Sequence, residues 1–456
     1  MASVFEISKL RFDALAGYVR KLGTFVLSEE LAWYEHSGGL LLGTLIRDTE
    51  DDDFGGIVLG RDERLAFRCV DTTGFSENPE IAASQLIEAI DNWGRRSKED
   101  LYQGDGGGAV DFFSPIVPSV KLSHAFTRLA GTEGFSPARA LIEAMMHYYD
   151  DVDGNFVDQF QSGGFDARFW ELYLFALLTE QGFVFDRTYP APDFLSEGLI
   201  QTIFVEAVTV NPTRVGNLVV ERMPLEKSEI REYLQQYMPI KWGSALTSKL
   251  AKQYWNLPHV QDRPIVFAIQ DFHIPRAMTF TGTTLPPYLY GREFQALYDS
   301  AGKLNVTSRR IFEHKWKDKR IESGFFYLPN SEMISAVIQN PIATLSKFNR
   351  MARLAKLGSP TVRMRRFGTV YNPDPNAAVP LDYEQDIDDP AYSETWCEGL
   401  NIYHNPNARY PLDDRLFPEA MHHRLEGEDL VHSIPDFHPY SAQTIILTPK
   451  RLREGA

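Results

Sequence analysis

Between residues 20 and 72 the chain alternates short apolar runs with polar breaks. The runs are FVLSEELAWYEH, GLLLGTLIRD, FGGIVLGRD and LAFRCVD, with turns read at Asp51-Asp52-Asp53 and Gly55-Gly56. This pattern predicts a set of short β-strands. Residues 79–95 change to helical spacing and predict an amphipathic helix. Gly104–Gly108 reads as a loop, and without a following Gly-Lys-Ser/Thr it is no phosphate-binding P-loop. Ser136-Pro137 supplies an N-cap and a first-turn proline for a helix through ARALIEAMMHYY, and the acidic stretch Asp150–Asp153 follows as a loop.

From residue 165 the pattern becomes more specific. Residues 166–181 predict a helix ending at Gly182, a residue suited to the C-terminal cap. Three strands are expected next: 183–186, one opening at Pro192-Asp193-Phe194, and 203–208. The last, IFVEAV, is apolar enough for the centre of a sheet. A helix over 243–256 and a buried strand, PIVFAI at 264–269, complete the order helix, three strands, helix, strand. Further on, IESGFFYLP and EMISAVI predict a strand pair turning at Pro329-Asn330, and residues 371–440 read as ordered loops with short strands. The fold class expected is mixed α/β, α+β overall, built on a mixed sheet flanked by helices. Three regions follow: a mostly β region over 1–130, a core over 131–275 and a loop-rich α/β region over 276–456.

Two carboxylates violate the apolar pattern. Glu171 shares a helical face with Leu174, Phe175 and Leu178. Glu206 lies inside an apolar strand on one face with Phe204 and Val208. A buried carboxylate needs a cation, a metal or a proton, and Arg168 is a local candidate for the first. Asp193 adds a third carboxylate at a strand start. A hard divalent cation such as Mg²⁺ would suit an all-oxygen set.

The element order together with Pro192-Asp193 and Glu206-Ala207-Val208 resembles the PD-(D/E)XK nuclease superfamily, over the central quarter of the chain. The resemblance implies a restriction-endonuclease-like core and an endonuclease that hydrolyses DNA phosphodiester bonds with Mg²⁺ or Mn²⁺, and by family analogy a setting in bacterial defence against foreign DNA. It implies Asp193, Glu206 and the Ala207 carbonyl as metal ligands, with Glu171 joining them from the first helix. Val208 stands where the family keeps a lysine. Lys249 of the following helix is the candidate replacement, with Lys252 second. The alternative is a nuclease fold that has lost catalysis and serves nucleic-acid binding, regulation or assembly.

Charge refines the picture. The 456 residues carry a net charge of −16, which opposes unspecific attraction to nucleic acid. Yet no acidic residue falls between Glu332 and Asp374, a window holding Lys347, Arg350, Arg353, Lys356, Arg363, Arg365 and Arg366. These are expected to contact DNA phosphates. Arg309-Arg310, Lys315, Lys317, Lys319 and Arg320 form a second basic stretch. Histidines 404, 422, 423, 432 and 438 match no zinc spacing, and Tyr34-Glu35-His36 reads as structural. Cys69 and Cys397 are too far apart in sequence to suggest a framework. With no long apolar run and no signal-peptide pattern, a cytoplasmic protein without membrane contact is expected, with a homodimer or a partner protein left open.

Overall fold

A central eight-stranded mixed sheet organises the computed structural model, which describes residues 3–104, 107–151, 154–215, 218–221, 224 and 226–448. Parts of the expected glycine loop and acidic loop lie outside these residues. The sheet strands are β1 (Val184–Asp186), β2 (Phe194–Glu197), β3 (Ile203–Val210), β4 (Ile265–Asp271), β5 (Ala336–Gln339), β6 (Asn401–His404), β7 (Met421–Glu426) and β8 (Asp429–Ser433). They lie side by side in chain order. β1, β2 and β3 run antiparallel in succession, whereas β3, β4 and β5 are parallel. β6 is antiparallel to β5 and parallel to β7. β8 closes a hairpin with β7.

The apolar runs of β3 and β4 follow from burial on both faces. Helix α1 (Phe165–Glu180) packs on one face, and its Trp170 indole donates to the Ala268 carbonyl of β4 at 2.8 Å. Helix α2 (Met238–Leu250) packs on the other, burying Trp242 and Leu246 with Phe204, Val208 and Phe267. The expected helix at 243–256 therefore starts earlier and ends sooner. A π-helical turn, Tyr233–Tyr237, runs directly into α2 ahead of Pro239.

The strands expected over 20–72 appear at 28–36, 41–48, 54–61 and 67–72, and an unforeseen strand, 4–7, joins them in a separate five-stranded antiparallel sheet. Two details differ. Leu22–Leu27 is a short helix, and Gly55-Gly56 lies inside a strand rather than at a turn. The helix Pro79–Gly94 explains the second: a Cβ on Gly56 would sit 2.8 Å from the Leu86 side chain. The expected pairing of IESGFFYLP with EMISAVI is also corrected. Lys319–Glu322 pairs with Glu313–Trp316, while β5 joins the central sheet. Gly324, at φ +89, turns the chain into a 3-10 segment that buries Phe325 and Phe326 against the α2 face. Strands from the last third of the sequence thus complete the central sheet. Among the described residues no helix is long and apolar enough to cross a membrane.

Candidate active site

The site begins where a β-ladder stops. β2 pairs with β3 at Phe194 opposite Val205, Leu195 opposite Phe204 and Ser196 opposite Ile203. One step further the side chains take over. The Asp193 N–H donates to Glu206 Oε2 at 3.2 Å, and the Ala207 N–H donates to Asp193 Oδ2 at 2.7 Å. Beyond this point β3 has a free edge toward β2 among the described residues. The Phe204 N–H points to the β4 side, onto the Pro264 carbonyl. Strand alternation therefore turns the N–H and C=O of Ala207 to the free edge.

Glu206 points to the α2 face and is 3% exposed. Its Oε1 receives the Lys249 ammonium and, at 2.7 Å, the Tyr254 hydroxyl. Glu171 approaches from α1. Arg168 Nη1 lies 2.9 and 3.1 Å from its two oxygens, and the Tyr149 hydroxyl donates to Oε2 at 3.0 Å. Between the two helices a cleft of ≈ 490 Å³ opens at the free edge of β3, lined among others by Glu171, Asp193, Ala207, Lys241, Ser248 and Lys249.

The arrangement corrects one expectation. Glu171, Asp193 and Glu206 do not form a closed carboxylate cage. Among the described residues, the one trio of histidine, cysteine or acidic side chains with ligand atoms mutually within 4.8 Å lies elsewhere. Both oxygens of Glu171 are held by Arg168 and Tyr149, which makes it a wall of the cleft rather than a ready ligand. The remaining donors do converge. Asp193 Oδ1 has no hydrogen bond among the described residues, and Glu206 Oε2 retains a lone pair beyond the one it gives Asp193. The Ala207 carbonyl faces the same edge. An all-oxygen set of this kind fits Mg²⁺ or Mn²⁺.

Electrostatics agree with this division. Burial, then Glu206 and Glu171, push the Asp193 carboxyl up to about 8. Burial likewise raises Glu171, against the pull of Arg168. For Lys249 burial acts downward, but Glu206, Asp193 and Glu171 outweigh it and hold the ammonium charged. Val208 is buried against α2 and offers nothing polar. Lys249 brings to the site the charge that Val208 lacks, whereas Lys252 is exposed just past the helix end. Sequence reading missed Tyr149, Tyr254 and Lys241. The Lys241 ammonium is anchored on the Asn211 carbonyl at 2.6 Å and on Glu221 at 3.2 Å. Tyr254 follows a left-handed turn at Gln253, so no helical spacing from Lys249 announces it.

The expected DNA-contact window does not form a free basic surface. Lys347, Arg350 and Arg366 are fully buried. Arg350 holds Glu394 through two bonds of 2.6 and 2.8 Å, Lys347 lies 3.5 Å from the same carboxylate, and Arg366 pairs with Glu398. Arg353 and Arg363 share Asp388 at 2.7 and 3.0 Å, and Arg365 meets Glu384 at 3.0 Å. The partners lie far along the chain, which is why a local count of charge misleads. Arg350→Ala should destabilise the fold by about 3 kcal/mol, the low end for breaking a buried pair, because Lys347 and Arg366 still face Glu394. Chemical denaturation checks it, and a loss below about 1 kcal/mol would show that the cluster adds little.

The second basic stretch is different. In the hairpin Glu313–Trp316 and Lys319–Glu322, His314 is buried, while Lys315, Lys317 and Lys319 are exposed. His314 Nδ1 bonds the Gln235 carbonyl at 3.0 Å, and the Lys315 N–H donates to Gln236 Oε1 at 3.0 Å. Those glutamines lie just before α2, so the hairpin is docked on the helix that carries Lys249. Comparison with family models, with curated proteins and with solved structures returned no match.

Proposed function

We propose that the cleft at the free edge of β3 hydrolyses phosphodiester bonds in DNA with Mg²⁺ or Mn²⁺. The observation that carries this reading is the Lys249 ammonium on Glu206, beside Asp193, where the β2–β3 ladder ends. Asp193, Glu206 and the Ala207 carbonyl would hold the ion. When bound, the ion would activate a water and offset charge on the scissile phosphate. Lys249 adds a fixed positive charge from above. Tyr254 and Lys249 orient Glu206, and Arg168 with Tyr149 keeps Glu171 on the opposite wall.

With Lys347, Arg350, Arg353, Arg363, Arg365 and Arg366 paired internally, DNA contact falls to the hairpin against α2. A nuclease assay on linear and single-stranded DNA with Mg²⁺ or Mn²⁺ tests the activity. The triple variant Lys315→Ala, Lys317→Ala, Lys319→Ala should weaken DNA binding and flatten its salt dependence by roughly one unit of slope per lost phosphate contact. An unchanged slope removes the hairpin from the interface. Metal-dependent binding without cleavage favours the catalytically inactive alternative that Val208 suggests.

A further inference from the structure

Away from the cleft, β6 and β7 bring together residues that sequence spacing left apart. His404 ends β6 and His422 is the second residue of β7. Parallel pairing sets Ile402 opposite His422, so His404 and His422 share a face. Both are nearly buried, at 8% and 5% exposure. His404 Nε2 and His422 Nδ1 lie 2.9 Å apart. Asp414, in the 3-10 turn Asp414–Leu416, places Oδ1 3.6 Å from the first nitrogen and 3.8 Å from the second. Arg424 also bonds that oxygen.

The protons on this cluster do not balance by themselves. His422 Nε2 faces the Phe417 carbonyl at 3.0 Å and must carry a hydrogen. In the neutral ring Nδ1 is then bare. His404 Nε2 is faced by that bare nitrogen and, at 3.1 Å, by an N–H of Arg424. With a proton, His404 Nε2 meets the Arg424 donor. Without one, two lone pairs meet at 2.9 Å.

We infer that His404, Asp414 and His422 bind a transition-metal ion of the Zn²⁺ class, at a site independent of the cleft. An ion between the two bare nitrogens and the carboxylate removes the proton conflict. Bonds of about 2.0–2.2 Å in a tetrahedron set ligand atoms about 3.3 Å apart. The observed 2.9, 3.6 and 3.8 Å bracket that spacing. Imidazole donors select a borderline ion over Mg²⁺, so the two sites differ in metal. The Phe417 carbonyl on His422 Nε2–H is the outer contact that fixes a ligating ring, and Arg424 would keep to the carboxylate. The ion would tie the turn at Asp414 to the β6–β7 pair.

The test uses the full chain without a histidine tag, stripped with a chelator, equilibrated with Zn²⁺ and dialysed. Elemental analysis should find one retained zinc per chain, and Zn²⁺ should raise the melting temperature. His404→Ala with His422→Ala, and separately Asp414→Asn, should lose both effects. Asp193→Ala should keep them. His423→Ala with His432→Ala should keep them too, since those rings meet at 2.8 Å beside Asn401 rather than beside Asp414. Should the double histidine variant fail to fold, the half-exposed Asp414→Asn decides. No retained zinc in the wild type, or zinc lost from the His423/His432 variant and kept by Asp414→Asn, overturns the assignment.

Discussion

Asp193→Ala or Glu206→Ala should abolish metal-dependent DNA cleavage while leaving a folded protein. Each removes a donor from a set with few to spare. Asp193 contributes the one carboxylate oxygen at the free edge without a hydrogen bond among the described residues, and Glu206 anchors the Asp193 backbone. Proton exchange supplies a second readout. With its carboxyl pushed up to about 8, Asp193 holds a proton at neutral pH in the metal-free protein. A divalent ion needs the carboxylate, so binding below about pH 8 should release a proton, and apparent affinity should climb with pH until it levels off there. The sign for stability is the opposite. The native state keeps a proton that the unfolded state has lost above its ordinary carboxyl value, so this group's contribution falls as pH rises toward 8. Calorimetry in two buffers of different ionisation enthalpy measures the released proton, and Asp193→Asn should remove it. Wild-type cleavage by either alanine variant would end the proposed site.

Much of the cleft was readable because its residues break a strong pattern. Glu171 and Glu206 stand among apolar neighbours, and burial in the core makes such carboxylates conspicuous. β3, the strand carrying Glu206, was legible for the same reason, as was β4 beside it: both are apolar on both faces. What sequence could not supply was the partner of each charge. Arg168, three residues from Glu171, is local and was foreseeable. Tyr149, Tyr254 and Lys241 arrive from elsewhere in the chain.

The same distinction explains the failure at 347–366. Lys347 and Arg350 lie on the inner side of the helix Leu345–Leu354, and they are neutralised by Glu394, more than forty residues later. An acid-free window signalled a shared partner, not a free surface. The histidines show the converse. Residues 404, 414 and 422 have no zinc-like spacing, yet a parallel strand pair and one turn bring them within 4.8 Å. Parallel pairing joins distant segments through a crossover, which a local motif cannot encode.

Lys249→Ala should slow cleavage by about two orders of magnitude, the scale for losing one preorganised charge donor, with metal affinity little changed. Phosphoryl transfer builds negative charge on the phosphate oxygens, and Val208, buried in the α2 interface, cannot answer it. Lys249 can, because α2 packs directly over β3 and its ammonium is already at Glu206. Glu206 foremost keeps that amine protonated despite its burial, so it supplies charge rather than a base. Tyr254 still holds Glu206 in the variant, which preserves the carboxylate's position and separates loss of charge from loss of the site. Tyr254→Phe provides the complementary measurement: it should loosen Glu206 and weaken metal binding while leaving the ammonium in place. Lys252→Ala is the control, since that side chain is exposed beyond the helix end, and it should cut at close to the wild-type rate. Single-turnover cleavage at saturating metal reads these effects directly. If Lys249→Ala cuts as fast as the wild type, the ammonium serves only to neutralise Glu206, and the charge on the phosphate must be met by another group.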